Sequence, residues 1–154
     1  MPDSLRVTVM TAEGSLYAGD ASFVVVPAFD GELGVLPRHV PLMALLKPGA
    51  VRVEHGGDEE YLFVSGGFAE VGREGEGQET TVVSVLADTG ERAHDIDEAR
   101  AEEARKRAHE LLSRQLSAEE YAEAAALLER STARIRVADL SRRRRGRREP
   151  PMRG

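Results

Sequence analysis

The sequence predicts an α+β fold: an N-terminal antiparallel β-sandwich followed by a C-terminal antiparallel two-helix hairpin. Three observations predict it. Up to residue 88, short apolar runs are separated by glycine and proline, the punctuation of strands and turns. From Asp95 to about Leu140 that punctuation stops, and an Ala/Glu/Arg-rich helical pattern takes over. Nowhere do strands alternate with helices, which argues against a parallel α/β sheet. The expected organisation is a head over residues 1–88, a helical arm over 89–140 and an Arg-rich tail over 141–154 that is expected to be disordered.

The head is read element by element. Leu5-Arg6-Val7-Thr8-Val9 alternates apolar and polar residues, as a half-buried strand does. Phe23-Val24-Val25-Val26 is an apolar run closed by Pro27. Gly31 and Gly34 bracket an extended segment that stops at Pro37, and Val40 to Leu46 is apolar until the Lys47-Pro48-Gly49 turn. Val51 and Val53 open a strand, His55-Gly56-Gly57-Asp58 is a hairpin loop, and Tyr61 to Ser65 is the returning strand. Gly66-Gly67 separates it from Phe68-Ala69-Glu70-Val71. Gly72 to Glu79 is a polar loop and Thr80 to Leu86 the last strand. Roughly eight or nine short strands at this spacing fit a sandwich or barrel.

In the arm, Asp95 is placed to cap a helix, with Glu98 three residues on completing a capping-box-like pair. Ser117-Ala118-Glu119-Glu120 is a second and cleaner capping box, so a second helix starts there and is expected to run to about Ala138. The link near Ser113 to Ser117 is short, and short links make antiparallel neighbours. The facing surfaces are thin: Ala101, Ala104, Ala108, Leu111 and Leu112 on one helix, with Tyr121, Ala124, Leu127, Leu128, Ile135 and Leu140 on the other. Such a seam supplies only a few kcal/mol at roughly 25 cal/mol per Å².

Composition narrows the function. The chain has 154 residues, no cysteine and no tryptophan, so thiol and disulfide chemistry are excluded. No apolar run approaches the length of a membrane span and MPDSLRVTV lacks a signal-peptide pattern, so the expectation is a protein that meets a membrane only through a partner. Net charge is −6 but uneven: residues 141–154 hold seven Arg and one Glu, a charge of +6, which leaves −12 on residues 1–140. An acidic body does not seek phosphate backbones. His39, His55, His94 and His109 lie too far apart in sequence for metal-ligand spacing. There is no Gly-x-Ser-x-Gly elbow and no Walker loop, and Gly75-x-Gly77 sits in a hairpin loop. No catalytic residue and no metal site is expected.

One constellation stands out. Arg100 and Arg107 share a face of the first helix, and Arg130 and Arg134 are one turn apart on the second. Folding the hairpin brings the start of one helix beside the end of the other, so four guanidiniums are expected to converge near Asp97, an arrangement that suits a polyphosphate. The ordinary alternative is solvated pairing such as Glu103 with Arg107, but neither Arg130 nor Arg134 has a carboxylate three or four residues away on its own helix.

Several ordered motifs resemble one family. They are Gly31-Glu32-Leu33-Gly34-Val35-Leu36-Pro37-Arg38-His39-Val40-Pro41-Leu42, Leu46-Lys47-Pro48-Gly49, Val64-Ser65-Gly66-Gly67-Phe68-Ala69-Glu70-Val71, Leu86-Ala87-Asp88 and Ile96-Asp97-Glu98-Ala99-Arg100-Ala101. Over residues 3 to about 140 the chain resembles the epsilon subunit of bacterial F-type ATP synthase, the counterpart of mitochondrial delta. The resemblance implies a non-catalytic subunit of the central stalk. Its head would grip the gamma subunit and rest on the c-ring. Its arm would lie folded, or extend into the α/β catalytic ring and inhibit ATP hydrolysis. No cofactor is required, but a regulatory ATP is implied at Glu91, Ile96, Asp97, Arg100, Ala101, Arg107, Arg130 and Arg134. Glu32 matches the loop facing the c-ring and His39 the segment near gamma. The implied location is peripheral, on the cytoplasmic face of the bacterial inner membrane, with no nucleic acid bound. Arg38 departs from the small residue usual before the histidine, the Gly72–Glu79 loop is longer than usual, and the tail is an extension expected to steer the arm onto acidic surfaces of the β subunits. The competing reading is a stand-alone β-sandwich module whose basic tail binds nucleic acid.

Overall fold

Every second residue of Leu5-Arg6-Val7-Thr8-Val9 is buried, and this period of two governs the N-terminal unit. The computed structural model describes residues 5–148, and the chain divides into two units, one ending at Arg92 and one starting at Ala93.

The first unit holds β1 (Leu5–Thr11), β2 (Gly14–Ala21), β3 (Phe23–Ala28), β4 (Gly31–Val35) and β5 (Leu42–Leu46). It continues with β6 (Gly49–His55), β7 (Asp58–Val64), β8 (Gly67–Glu74), β9 (Thr80–Ala87) and β10 (Gly90–Arg92). They form one sheet in the order β10-β7-β6-β3-β5-β8-β9-β1-β2, with β4 paired to β3. Arg92 Nε donates to the Leu16 carbonyl at 3.1 Å, which ties β10 at one end of that order to β2 at the other. Valines and leucines of β1, β3, β6, β7 and β9 interdigitate inside, each fully buried residue contributing roughly 1.5–3 kcal/mol. The Gly56–Gly57 turn joins β6 and β7 with φ 55 and 80, the left-handed pair that a two-residue hairpin requires.

The sandwich is as the sequence predicts, with two strands the pattern did not reveal. β2 carries two glycines, and its only half-buried large side chains are Leu16 and Tyr17, so it shows no apolar run. β10 is three residues long and pairs with β7 two residues beyond the expected break at residue 88. One pair, β1 with β9, is parallel and joins the two ends of the head sequence.

The second unit begins with a 3-10 turn, Ala93–Asp95, followed by α1 (Glu98–Leu112) and α2 (Ala118–Arg148). Asp97, not Asp95, caps α1: its Oδ1 accepts the Arg100 N–H at 3.1 Å, while Asp95 is spent in the turn. Ser117 Oγ accepts the Glu120 N–H at 3.2 Å, so the second capping box forms as read. Ala101 and Ala108 on α1, and Ala124, Ser131 and Ala138 on α2, are buried at seven-residue spacing, the stripe of a close antiparallel packing. Ser131 is tolerated there because its hydroxyl donates to the Leu127 carbonyl at 2.7 Å. Tyr121, expected on the seam, is exposed.

α2 does not stop at Ala138. Residues 141–148, expected to be disordered, continue the helix, and residues 149–154 lie outside the described residues. Arginine is a good helix former, and cations are favoured at a helix C-terminus. Asp139 supplies the counter-charge, with Arg143 Nε at 2.9 Å and Arg142 Nη2 at 3.4 Å.

Candidate functional site

The outward side chains of the head are not uniformly polar. Pairing places Leu45 of β5 opposite Phe68 of β8, Phe68 opposite Leu86 of β9, and Leu86 opposite Met10 of β1. These four are 69%, 37%, 39% and 39% exposed, and Met43 continues the strip along β5 at 68%. Directly beneath, Ala69, Val85 and Val9 face the core, as the pleat demands. A contiguous exposed apolar strip across four strands marks an interaction surface.

The other sequence-predicted contacts lie in the loops. Glu32 is exposed near the tip of the β3–β4 hairpin, and Phe29 in the same tip is 67% exposed. The Phe29 N–H donates to the Leu45 carbonyl at 3.0 Å, which fixes that tip beside the strip. His39 is half-buried in the β4–β5 loop. Its N–H donates to Leu36 O at 3.1 Å and its Nδ1 lies 2.9 Å from Val40 O, which favours the Nδ1–H tautomer.

On the arm, the proposed nucleotide residues divide by role. Ile96 and Ala101 are buried apolar residues, and Asp97 is engaged as the α1 cap. Arg100, Arg107 and Arg130 are exposed and Arg134 is half-buried. Among the described residues Arg100, Arg107 and Arg130 form no ion pair, and the ordinary Glu103–Arg107 pairing is absent. Asp97 meets Arg100 only through the cap, its Oδ1 accepting the Arg100 backbone N–H. Glu91 belongs to β10 of the head, where it pairs with Phe63 of β7.

Sequence reading missed one charged contact. Arg142 Nη1 donates to both oxygens of Glu98 at 2.6 and 2.8 Å, linking the end of α2 to the first turn of α1. Glu98, with Asp139 contributing less, holds the Arg142 guanidinium above its ordinary pKa. On α1 itself Arg105 holds the Glu102 carboxyl below the usual carboxylate range. The signal for the first pair lay in treating Arg142 as helical, which a basic tail does not advertise. Among the described residues no His/Cys/Asp/Glu group has metal-ligand geometry, and no helix is long and apolar enough to cross a membrane.

Comparison with known proteins follows these two units. The β-sandwich domain of the ATP synthase delta/epsilon chain matches residues 4–93, and its long alpha-helix domain matches residues 94–139. The chain is 50% identical to ATP synthase epsilon chain 2 of Ralstonia nicotianae, over 92% of this chain and 97% of that one. It is 45% identical to the ATP synthase epsilon chain of Acidithiobacillus ferridurans, over 89% and 92%. Among solved structures, a chain of the Euglena gracilis mitochondrial ATP synthase OSCP/F1/c-ring assembly superimposes with a TM-score of 0.74 at 23% identity, covering 89% of this chain and 81% of that one. A chain of the Tetrahymena thermophila mitochondrial ATP synthase central stalk/c-ring gives 0.57 at 12% identity, over 89% and 95%. At these identities the structural likeness is one of fold. The relatives lend no support to a stand-alone nucleic-acid module. With both domains matched in order, and half the residues shared with a bacterial relative along nearly its full length, the chain belongs to the ATP synthase epsilon-chain family.

Proposed function

We propose that this chain is a non-catalytic rotor subunit of ATP synthase that couples proton translocation to ATP synthesis and restrains ATP hydrolysis. The observation that carries the reading is the apolar strip of Met10, Leu45, Phe68 and Leu86 on the head. In this reading the strip docks on the gamma subunit, with His39 near its margin. The hairpin tip with Phe29 and Glu32 faces the c-ring. The arm reaches the α/β ring, and the Arg-rich end of α2 steers it towards acidic surfaces there. The subunit sits peripherally on the cytoplasmic face of the inner membrane, held by its partners.

A test of docking is pull-down by an α/β/gamma complex that lacks this subunit. Leu45→Glu and Phe68→Glu place a charge on exposed positions, so the fold should survive while affinity falls by about 2 kcal/mol or more. Undiminished binding by both variants would remove the strip from the interface. Hydrolysis by the same complex, with the full chain and with a chain ending at Arg92, tests the arm. Suppression by the full chain alone makes the arm the brake; equal behaviour limits the subunit to coupling.

The arm also supports a regulatory ATP bound by Arg100, Arg107, Arg130 and Arg134, with Glu91, Ile96, Asp97 and Ala101 of the family motif nearby in sequence. The exposed guanidiniums of Arg100, Arg107 and Arg130, which form no ion pair among the described residues, suit a polyphosphate. ATP bridging both helices would favour the folded arm by differential binding to that state. Calorimetry at millimolar ATP should show binding that Arg100→Ala abolishes; no heat with the wild-type chain would sink this part of the reading.

A further inference from the structure

The β4–β5 loop contains a strained residue. Leu36, Pro37, Arg38 and His39 form a type II turn: the His39 N–H donates to Leu36 O at 3.1 Å, Pro37 takes the second position, and Arg38 takes the third with φ 67. That position selects glycine, because an L side chain there crowds the neighbouring carbonyl. The surroundings hold Arg38 in place. Its N–H donates to Thr81 Oγ1 at 2.7 Å, and its carbonyl accepts from Arg73 Nη2 at 2.8 Å. Thr81 is itself buried, so this anchor belongs to the rigid sheet.

The backbone of Arg38 is therefore fully employed, and its side chain is not. Arg38 is exposed, and among the described residues its guanidinium forms no ion pair. It stands between Leu36 and Val40, which are 57% and 66% exposed, and the loop runs straight into β5, whose Met43 and Leu45 belong to the apolar strip. Glycine would make the same two hydrogen bonds through its backbone, in the same turn, without strain. What arginine adds is an exposed cation, on an anchored backbone, between two exposed apolar residues. A retained outlier with no internal use points to a ligand outside the chain.

We infer that Arg38 is a specificity contact: it pairs with a carboxylate set in an apolar patch on the partner subunit that receives the strip. The inference rests on the docking reading above. A guanidinium desolvated among Leu36, Val40 and Met43 requires a counter-charge, and a carboxylate matches its fork. A partner surface with a neutral or basic group at that point would be rejected.

The test compares the full-length wild-type chain, Arg38→Gly and Arg38→Lys. Each is bound to the α/β/gamma complex lacking this subunit at low and high salt, and each is melted alone. Arg38→Gly should melt a few degrees higher, because turn strain is released, yet bind about fivefold more weakly at low salt. Its deficit should shrink at high salt, where the charge pair is screened. Arg38→Lys should retain most of the salt-sensitive affinity. An Arg38→Gly chain that melts higher and binds as tightly as wild type overturns the inference alone. A wild-type chain that fails to bind overturns the docking reading, and the inference with it.

Discussion

Arg38 and Gly67 are opposite answers to the same backbone demand. Both sit at positive φ, 67 and 120. A left-handed L residue costs about 1–2 kcal/mol, while glycine's extra unfolded-state freedom returns about 0.5–1 kcal/mol, so Arg38→Gly should stabilise the head by no more than about 1.5 kcal/mol. At Gly67 the constraint is steric as well: a Cβ would run into the Leu86 carbonyl oxygen of the adjacent strand. Gly67→Ala should therefore destabilise by roughly 3 kcal/mol or more, read as a fall of roughly 10 °C or more in the thermal midpoint. An unchanged midpoint would mean that β8 and β9 separate more easily than their pairing implies. The sequence announces Gly66-Gly67 as a break, but only the Phe68–Leu86 register shows which glycine is indispensable. Asp95 and Asp97 teach the same lesson. Both are capping residues by type, and the 3-10 turn that consumes Asp95 decides between them.

Helix α2 shows where element-level reading ran short. Composition alone made residues 141–148 a solvated basic tail, because like charges repel in a free chain. In the fold, Asp139 and Glu98 neutralise Arg142 and Arg143, and the helix carries on. Exchanging the pair, as Glu98→Arg with Arg142→Glu, should restore the helical melting that either single change lowers, and the difference should vanish at high salt. Non-restoration would show that the contact is incidental. The seam itself depends on small residues. Ala108 is fully buried against the facing helix, so Ala108→Leu should cost about 1–3 kcal/mol by forcing α1 and α2 apart. Circular dichroism at the helical band should then show an earlier arm transition, with the head transition unmoved. A coincident shift of both would show that the two units do not melt separately.

At the scale of the whole molecule, the division after Arg92 matters for any truncation. β10 pairs Gly90 with Val64 and Arg92 with Leu62, and Arg92 also reaches Leu16. A chain ending at Asp88 lacks all of these contacts. It should be less stable than one ending at Arg92 by about 2 kcal/mol, measured by urea unfolding, from the lost backbone hydrogen bonds. Equal stability would make β10 an ornament of the sheet. The docking strip is likewise a property of the assembled head, since its residues come from β5, β8, β9 and β1, and β1 meets β9 only through the parallel pair that joins the two ends of the unit.

The sequence by itself determined the two-part plan, most strands, both helices, the Gly56–Gly57 and Ser117 signals, and the family motifs. These are local features: periods of 2 and 3.6 residues, caps and turns depend on neighbours within a few positions. Tertiary structure decided what depends on distant partners. It brought Met10 beside Leu86, set Arg38 against Thr81 and Arg73, and gave Arg142 its carboxylate on α1. It also recruited β2 and β10, whose own residues bury too little to declare a strand. The physical reason is common to all of them. A side chain's environment is made by residues that pairing and packing bring near, and a linear pattern records only its own half of each contact.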